Sequence, residues 1–350
     1  MMKKIYFLYF MLLSCMCFWA CTEHEEVLAE SISLSAEVND VKLTSRTSDY
    51  AAPVSGEELD ALVWLSLESG KYPESLPNDA SEELKELAQE TNIPAHRKIH
   101  YRSGQASFPD ATTESDRPRY PTNGETNVYC IGLYPYKENE GWEALPGDTT
   151  AVHAITGYDD LMFAPEISGN WNAHFGKQKF RHLLTWLKVC VCATTTEAGS
   201  NWGKLKKITL KNVPDSVTIS FRVPEPPEPT EPKPKYPLHG IMSPSQKKSD
   251  VVILDLDSSD GKELGIVVQD VASIFCYPQD KYFLSIECEG NNKVENIEID
   301  LSSLSTAGYD SRAGLQYVLT LYFSPFNVVE GVCTLKEWNA QNEDLYPTTN

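Results

Sequence analysis

Cysteine and histidine are the residues of this chain whose spacing could support chemistry at a metal ion. Cys190 and Cys192 are separated by one residue, whereas structural zinc sites usually place roughly two to four residues between paired thiols. His96 and His100 would share one face of a helix, but the segment around them favours an extended, basic conformation. We therefore expect no metal site. The thiols are expected to be buried as small apolar groups or, alternatively, joined in disulfides.

Other patterns that could carry catalysis are incomplete. The acidic run that begins at Asp255 lacks the glycine and the glutamate that a calcium loop requires. Ser245 and Lys248 match S-x-x-K only within a loop rich in proline, serine and lysine, and the chain contains no G-x-S-x-G, no H-E-x-x-H and no glycine-rich phosphate loop. The sequence therefore predicts no catalytic residue and no cofactor.

The start of the chain carries a modification signal. After a basic start, Ile5–Ala20 is an uncharged apolar run, shorter than the ~20 residues that span a bilayer, so residues 1–20 are predicted to be a signal peptide. Ala20 and Cys21 resemble the end of a bacterial lipobox, which predicts cleavage after Ala20 and lipidation of Cys21. Cys15 also fits this motif, but cleavage there would leave an apolar segment on the mature protein. A secreted protein with an incidental cysteine is the alternative.

The charge balance restricts the partners. The 350 residues include 30 Lys and Arg against 50 Asp and Glu, for a formal net charge of −20. A surface this negative repels phosphate backbones and anionic lipid head groups, so we expect no nucleic-acid partner and expect any membrane attachment to be covalent. The length exceeds that of one average domain, which makes two domains the expectation.

An alternating stretch, Ser31–Thr47, follows an acidic tether over residues 21–30. Apolar and polar residues alternate with a period of two, which is typical of a strand with one buried face. The stretch ends at Arg46, in an open polar context that suits a protease. Such a strand is either a fixed part of the fold or a detachable one. Its apolar side chains are Ile32, Leu34, Ala36, Val38, Val41 and Leu43.

Most of the remaining chain consists of short strand-like runs with turn signals between them, which predicts antiparallel β-sandwiches. Ser81–Glu90 has a capping serine and apolar residues at helical spacing, and is the one helix that we expect. Phe175–Ala193 is interpreted as a single long strand. Pro224–Pro237 predicts a stiff extended segment, either a domain boundary or a long loop.

Several segments, taken in order, resemble the fimbrillin-like proteins, the pilins and pilin-related surface lipoproteins of certain Gram-negative anaerobes. The resemblance covers roughly the whole mature chain. Besides the lipobox and the strand that ends at S-R-T, the matching segments are D-L-M-F-A-P at Asp160–Pro165, F-x-H-x-L-T-x-L-x-V at Phe180–Val189, W-G-x-L-x-x-I-T-L at Trp202–Leu210, G-L-Q-Y-V-L-T-L at Gly314–Leu321 and C-T-L-K-E-W at Cys333–Trp338.

The resemblance implies two transthyretin-like antiparallel β-sandwich domains, over residues 31–166 and 167–350, with 224–237 as a loop within the second. It also implies an assembly mechanism. A protease cuts between Arg46 and Thr47, the first strand leaves, and a strand of another pilin subunit fills the groove. The implied pocket-filling side chains of the removable strand are Ile32, Leu34, Val38, Val41 and Leu43, and those of the candidate donor strand are Val329, Cys333 and Leu335.

The expected function is that of a surface-exposed lipoprotein of the outer membrane, a structural or accessory (anchor or tip) subunit of a pilus that mediates adhesion to an unknown host or bacterial ligand. The alternative is a carbohydrate-binding surface lipoprotein that does not polymerise. In that alternative Trp142, Trp171 and Trp202 would form a stacking surface for sugars. Cleavage at Arg46 would also sever the lipid anchor, so a stalk subunit should be cut and an anchor subunit should not.

Overall fold

The computed structural model describes residues 31–38, 58–73, 75–102, 105–136, 141–144, 149–221, 242–256, 261–289, 293–304, 312–326 and 328–336. Within these ranges strands dominate and most strand pairs are antiparallel, which confirms the prediction of an all-β sandwich fold. The predictions for Ala20, Cys21, Val41, Leu43, Arg46, Thr47 and the proline-rich segment 224–237 lie outside the described residues.

The elements of the described ranges are numbered here in chain order. The strands are β1 (Ala36–Val38), β2 (Glu58–Ser66), β3 (Ala95–Arg102), β4 (Gln105–Ser107), β5 (Val128–Tyr134), β6 (Glu143–Ala144), β7 (Thr150–Ala154), β8 (Met162–Gly169), β9 (Gln178–His182), β10 (Thr185–Ala193), β11 (Lys204–Pro214), β12 (Ser216–Ser220), β13 (Met242–Pro244), β14 (Lys248–Asp255), β15 (Lys262–Glu263), β16 (Gln269–Cys276), β17 (Lys281–Cys288), β18 (Lys293–Asp300), β19 (Gln316–Phe323) and β20 (Val329–Lys336). The helices are α1 (Glu82–Thr91) and α2 (Thr196–Trp202).

The first sheet has the strand order β1-β9-β8-β5-β2-β3-β4. One of its faces is covered by alternating side chains of β2 and β5, among them Ala61, Val63 and Cys130, all fully buried. Residues 31–38 include β1, which is at one end of this sheet and pairs with β9, and they also bridge to β4 at the other end. Residues 31–38 therefore join the two edges of the first sheet.

The second sheet (β16-β10-β19-β20) and the third sheet (β14-β11-β17-β18) form a sandwich. Their facing residues make one apolar core, in which Leu187 and Leu319 of the second sheet belong to the same cluster as Ile208 and Leu284 of the third. β10 and β19 pair in parallel, and β1 and β9 do so as well. These two pairs differ from the purely antiparallel arrangement that was expected.

A fourth sheet (β13-β12-β7-β6) lies where the two halves of the chain meet. Its residues Val217 and Ile219 belong to the same apolar cluster as Trp64 and Ile131 of the first sheet, and Phe275 of the second sheet lies in that cluster too. The fourth sheet thus combines β6 and β7, from before residue 166, with β12 and β13, from after it. The domain boundary between 166 and 167 stays a prediction.

The segment predicted as one long strand, Phe175–Ala193, is two strands, and that interpretation is wrong. β9 pairs with β8 in the first sheet, whereas β10 pairs with β16 and β19 in the second. Leu183 and Leu184 lie between them and are fully buried in the cluster where the sheets meet. The buried positions are even-numbered in β9 and odd-numbered at the start of β10, so the alternation shifts by one residue across the consecutive apolar pair Leu183 and Leu184.

The predicted helix is α1, and Ser81 caps it by accepting a hydrogen bond from the Leu84 amide at 3.2 Å. α2 was not predicted. Its cap is Thr195, which accepts a hydrogen bond from the Ala198 amide at 3.1 Å, but Gly199 in its middle weakens the sequence signal. A Cβ at Gly199 would collide with the carbonyl oxygen of Leu264, so the glycine is required by close packing.

Candidate functional site

Residues 31–38, here called the N-terminal segment, are bonded on both sides. The Gln178 amide of β9 donates to the carbonyl oxygen of Ser35 at 2.8 Å, and the Ala106 amide of β4 donates to that of Leu34 at 3.1 Å. The Ile32 amide donates to the carbonyl oxygen of Pro118 at 2.9 Å. The segment therefore fills a groove whose walls are β9 and, opposite it, β4 with the chain around Pro118.

Alternate side chains of the N-terminal segment enter the core of the first sheet. Ile32, Leu34 and Ala36 are 4%, 2% and 7% exposed, and Ser33 between them is exposed. Burying an isoleucine or leucine side chain is worth roughly 1.5–3 kcal/mol, so these side chains supply much of the affinity of the segment for its groove. Val38 is the last residue of the N-terminal segment, and its backbone lies opposite Phe180 of β9.

The core beneath the segment includes a small polar group. Gln178 is fully buried; its side-chain amide donates to the Cys130 sulfur at 3.2 Å and its carbonyl oxygen accepts from the Tyr101 hydroxyl at 2.5 Å. Burial raises the pKa of the Tyr101 phenol and of the Cys130 thiol, so both groups stay protonated. Tyr101 can therefore donate to Gln178, and the Cys130 thiol that accepts from Gln178 is neutral. Gln178 thus has satisfied partners on its side chain, while its backbone amide depends on the N-terminal segment.

The wall around Pro118 is held by the end of α1. Asn92, at the helix C-cap, has φ +57° and donates its side-chain amide to the carbonyl oxygens of Ser115 and Arg117 at 2.7 and 3.0 Å. The Arg119 amide donates to the Thr91 carbonyl oxygen at 2.9 Å. The acceptor for the Ile32 amide is therefore fixed in place by a helix.

The groove holds residues 31–38 in an extended conformation. Its occupant is the first strand of the described chain and pairs in parallel with β9, so no hairpin ties it to that neighbour. The groove offers backbone donors on two sides and an apolar floor, which is the arrangement used for strand addition.

The candidate donor strand is β20, at one edge of the second sheet. It pairs with β19 from Val329 opposite Phe323 to Lys336 opposite Gln316. Val329, Cys333 and Leu335 pack against the core of the sandwich, and a Cβ at Gly331 would lie 2.7 Å from Ile299 Cδ1. These four positions share the inward face, as the alternation of the sequence predicts.

Among the described residues, the structure brings together no three His, Cys, Asp or Glu side chains that could hold a metal ion. His96 instead stacks on Trp64 with a centroid separation of 4.3 Å, and His100 bonds to Asp60. His182 pairs with Asp160 at 2.8 Å in a buried position. Neither described helix is long and apolar enough to cross a bilayer.

The six described cysteines are free thiols, which leaves no disulfide among them. Burial raises the pKa of Cys276, Cys288 and Cys333 to about 12. We expect them to resist alkylation at pH 8 in the native protein and to react after unfolding in urea, as mass spectrometry of labelled peptides would measure. Fast native labelling of Cys276 would contradict this assignment.

The same pKa values predict a loss of stability at alkaline pH. An unfolded thiol has its pKa near 9.0, so the native state binds protons more tightly. The contribution to stability is complete below about pH 9 and decreases as the pH rises toward 12. The midpoint of urea unfolding should therefore fall steadily between these values; a midpoint that stays constant would count against it.

The tryptophans proposed for sugar stacking are buried or partly buried. Trp142 and Trp202 are 7% and 2% exposed, and the indole nitrogen of Trp202 donates to the Ser324 carbonyl oxygen at 2.8 Å. Trp171 is partly buried against the core of the first sheet. The three side chains do not form an exposed platform.

Residues that the sequence did not single out make the groove. Ala106 and Pro118 act through their backbones, which leave no signal in the side-chain pattern. Gln178 could have been found from the sequence, because Gln178, Phe180 and His182 alternate with the charged residues Lys179 and Arg181. All three are buried in the structure. A glutamine on the apolar face of a strand indicates a buried polar contact.

Comparison with known proteins gives structural neighbours only. No protein-family model and no curated protein matches the chain. A crystal structure from Bacteroides uniformis, described provisionally as a cell adhesion protein, matches with a TM-score of 0.49 and 15% identity over 88% of this chain and 99% of that one. A similarly described protein of Bacteroides ovatus matches with a TM-score of 0.48 and 15% identity over 88% and 96% of the two chains.

A third neighbour, from Bacteroides thetaiotaomicron, is described provisionally as polysaccharide-binding. It matches with a TM-score of 0.45 and 9% identity over 88% of this chain and 96% of that one. Likeness at these levels carries no argument about function. The class that the fold defines is an all-β sandwich-type protein whose N-terminal segment packs between β9 and β4, and the fimbrillin-like assignment stays a prediction.

Proposed function

We propose that this chain is a fimbrillin-like surface lipoprotein that serves as a structural or accessory subunit of a pilus and mediates adhesion. The observation that carries the proposal is the N-terminal segment, which closes the first sheet and buries Ile32 and Leu34 in a groove between β4 and β9. The segment pairs in parallel with β9 and no hairpin ties the two, so a cut after the segment lets it leave without breaking any other described strand pair. Its departure exposes a site for the strand of another subunit.

Release begins with cleavage between Arg46 and Thr47. The departing strand takes its apolar side chains with it, and the amides of Ala106 and Gln178 lose their acceptors. An incoming strand restores these bonds and fills the same pockets, so assembly is driven by the completion of the sheet. The side chains that leave are Ile32, Leu34, Val38, Val41 and Leu43.

The incoming strand is β20 of a neighbouring subunit. Val329, Cys333 and Leu335 alternate on one face, as a groove with alternate pockets requires. β20 lies at an edge of its sheet and has one hydrogen-bonded neighbour among the described strands, so its release breaks one strand pairing together with the apolar contacts of its inward face. Lipidation of Cys21 would hold the precursor in the outer membrane until the cut is made.

The rival function, carbohydrate binding without polymerisation, requires an exposed sugar-stacking surface. The burial of Trp142 and Trp202 removes the aromatic platform that the sequence suggested for it. We therefore favour the pilus subunit.

Arg46→Ala tests the proposal in the native host. We expect polymer ladders that resist warm detergent for the unchanged protein, with mature subunits that begin at Thr47, and loss of the ladders for Arg46→Ala. Lys247→Ala is the matched control, because it also removes one positive charge and its side chain is 84% exposed, between β13 and β14 and outside the groove. Ladders built from subunits that keep a blocked start at Cys21 would contradict removal of the strand.

A further inference from the structure

Three connections meet at one end of the second sheet. β10 ends at Ala193, whose amide donates to the Gly265 carbonyl oxygen at 2.8 Å, and the Thr194 amide donates to the carbonyl oxygen of Phe323 at 2.9 Å. The turn after β10, the chain from Gly265 to Val268 before β16, and the turn between β19 and β20 are therefore neighbours. We call this the distal end of the sandwich.

The distal end is far from the place where the sheets meet. At the opposite end of β10, Leu184 and Phe275 lie in the apolar cluster that includes Trp64 of the first sheet. β10 has nine residues. At about 3.3 Å per residue its two ends are roughly 25 Å apart, so the distal end points away from the first sheet.

The distal end exposes large apolar side chains on two connections. Ile266 and Val267 are 60% and 66% exposed before β16, and Phe326 and Val328 are 84% and 48% exposed after β19. Most apolar side chains of this size in the described ranges are buried. An exposed group of this kind marks a surface that contacts another apolar phase.

The backbone that carries these side chains is fixed by packing. Gly199 of α2 allows close contact with the carbonyl group of Leu264, two residues before Ile266. The indole of Trp202 donates to Ser324, two residues before Phe326. The apolar side chains therefore extend from a rigid base, and little conformational entropy is lost when they bind.

The chemistry of the distal end favours a lipid surface over a protein. The described turn residues Thr194, Thr195, 265–268, 324–326 and Val328 carry no charge, and the charged residues that border them, Glu197 of α2 and Glu263 of β15, are acidic. A stable protein interface needs about 800 Å² on each partner, from roughly 20–30 residues. Four apolar side chains on two turns, with Thr194 and Thr195 close by, are far short of this. A bilayer requires no matching shape, and each inserted side chain adds affinity.

We propose that the distal end inserts Ile266, Val267, Phe326 and Val328 into the surface of a bilayer whose lipid head groups carry no net charge. The formal net charge of −20 disfavours approach to anionic lipids. The inference goes beyond strand exchange and applies to the uncut chain with β20 in its own sheet, because Phe326 and Val328 lead directly into β20.

Vesicle sedimentation tests the proposal with the chain that lacks residues 1–20 and carries Cys21→Ser, so that neither leader nor acyl chain contributes. We expect binding to phosphatidylcholine vesicles, and weaker binding when phosphatidylserine is added. Ile266→Ser and Phe326→Ser should each weaken binding at least ~10-fold. Tyr158→Ser is the matched control, since Tyr158 is 58% exposed and follows Gly157, whose carbonyl oxygen accepts from Phe275 at the opposite end of the sheet.

Unchanged thermal midpoints would show that the variants are folded. The proposal is overturned if the unchanged chain does not sediment with phosphatidylcholine, or if Ile266→Ser and Phe326→Ser bind as the control does. Concentration-dependent dimers that both substitutions abolish, without vesicle binding, would assign the distal end to a second copy of the chain and would also overturn it.

Discussion

Leu34→Asp is expected to release the N-terminal segment from its groove, while the sandwich of the second and third sheets, here called the C-terminal sandwich, stays folded. Leu34 is 2% exposed, and the substitution removes its apolar contacts and places a carboxylate in the core of the first sheet. The loss of free energy should be about 3–5 kcal/mol, from the lost burial and the desolvated charge. Hydrogen exchange of the Ala106 and Gln178 amides, which donate to the segment, should accelerate by at least ~100-fold.

Ser33→Asp provides the control, because Ser33 is the exposed neighbour and its side chain leaves the core untouched. It should leave exchange at Ala106 and Gln178 nearly unchanged. A synthetic peptide with the sequence of residues 31–38 should bind Leu34→Asp and not the unchanged protein, whose groove is filled. Slow exchange in both variants would mean that the segment is not held by its buried face.

The inward face of the N-terminal segment could be predicted, and its partners could not. Alternation alone assigns Ile32 and Leu34 to a buried face, and both are buried. The parallel pairing with β9 joins residues about 140 positions apart in the sequence, from Ala36 to Gln178. No local pattern encodes such a pairing, because it depends on how the first sheet curves and where its two end strands come to lie.

The switch between sheets at Leu183 and Leu184 shows the same limit. The phase of the alternation changes across Leu183 and Leu184, but two consecutive apolar residues are equally compatible with a β-bulge inside one strand, so the local pattern does not distinguish the two. The information lies in the tertiary structure: Leu183 donates its amide to Leu161 at 2.8 Å, and Trp186 donates to Leu315 at 3.0 Å. α2 was missed for a different reason, since its Gly199 is selected by contact with Leu264 rather than by helix propensity.

Arg312→Met is expected to destabilise the C-terminal sandwich by about 2–4 kcal/mol. The Arg312 side chain is 6% exposed, and its Nε donates to Asp280 Oδ1 at 2.7 Å. Its Nη1 donates to the Tyr317 hydroxyl at 2.6 Å and its Nη2 to the Leu301 carbonyl oxygen at 2.5 Å. Methionine can keep the apolar contacts of the stem, but it leaves a buried hydroxyl and a buried carbonyl group without their donor.

Lys281→Met separates this effect from the loss of a surface charge. Lys281 pairs with Glu298 at 2.5 Å and Asp300 at 3.2 Å on an exposed face of the same sandwich, where water replaces the lost partner. Urea unfolding followed by tryptophan fluorescence should show a large shift of the midpoint for Arg312→Met and almost none for Lys281→Met. Equal shifts would mean that the buried network of Arg312 contributes no more than a solvated ion pair. Both substitutions remove one positive charge, so the contrast reports the burial of Arg312 and the neutral partners, the Tyr317 hydroxyl and the Leu301 carbonyl group, that it leaves without a donor.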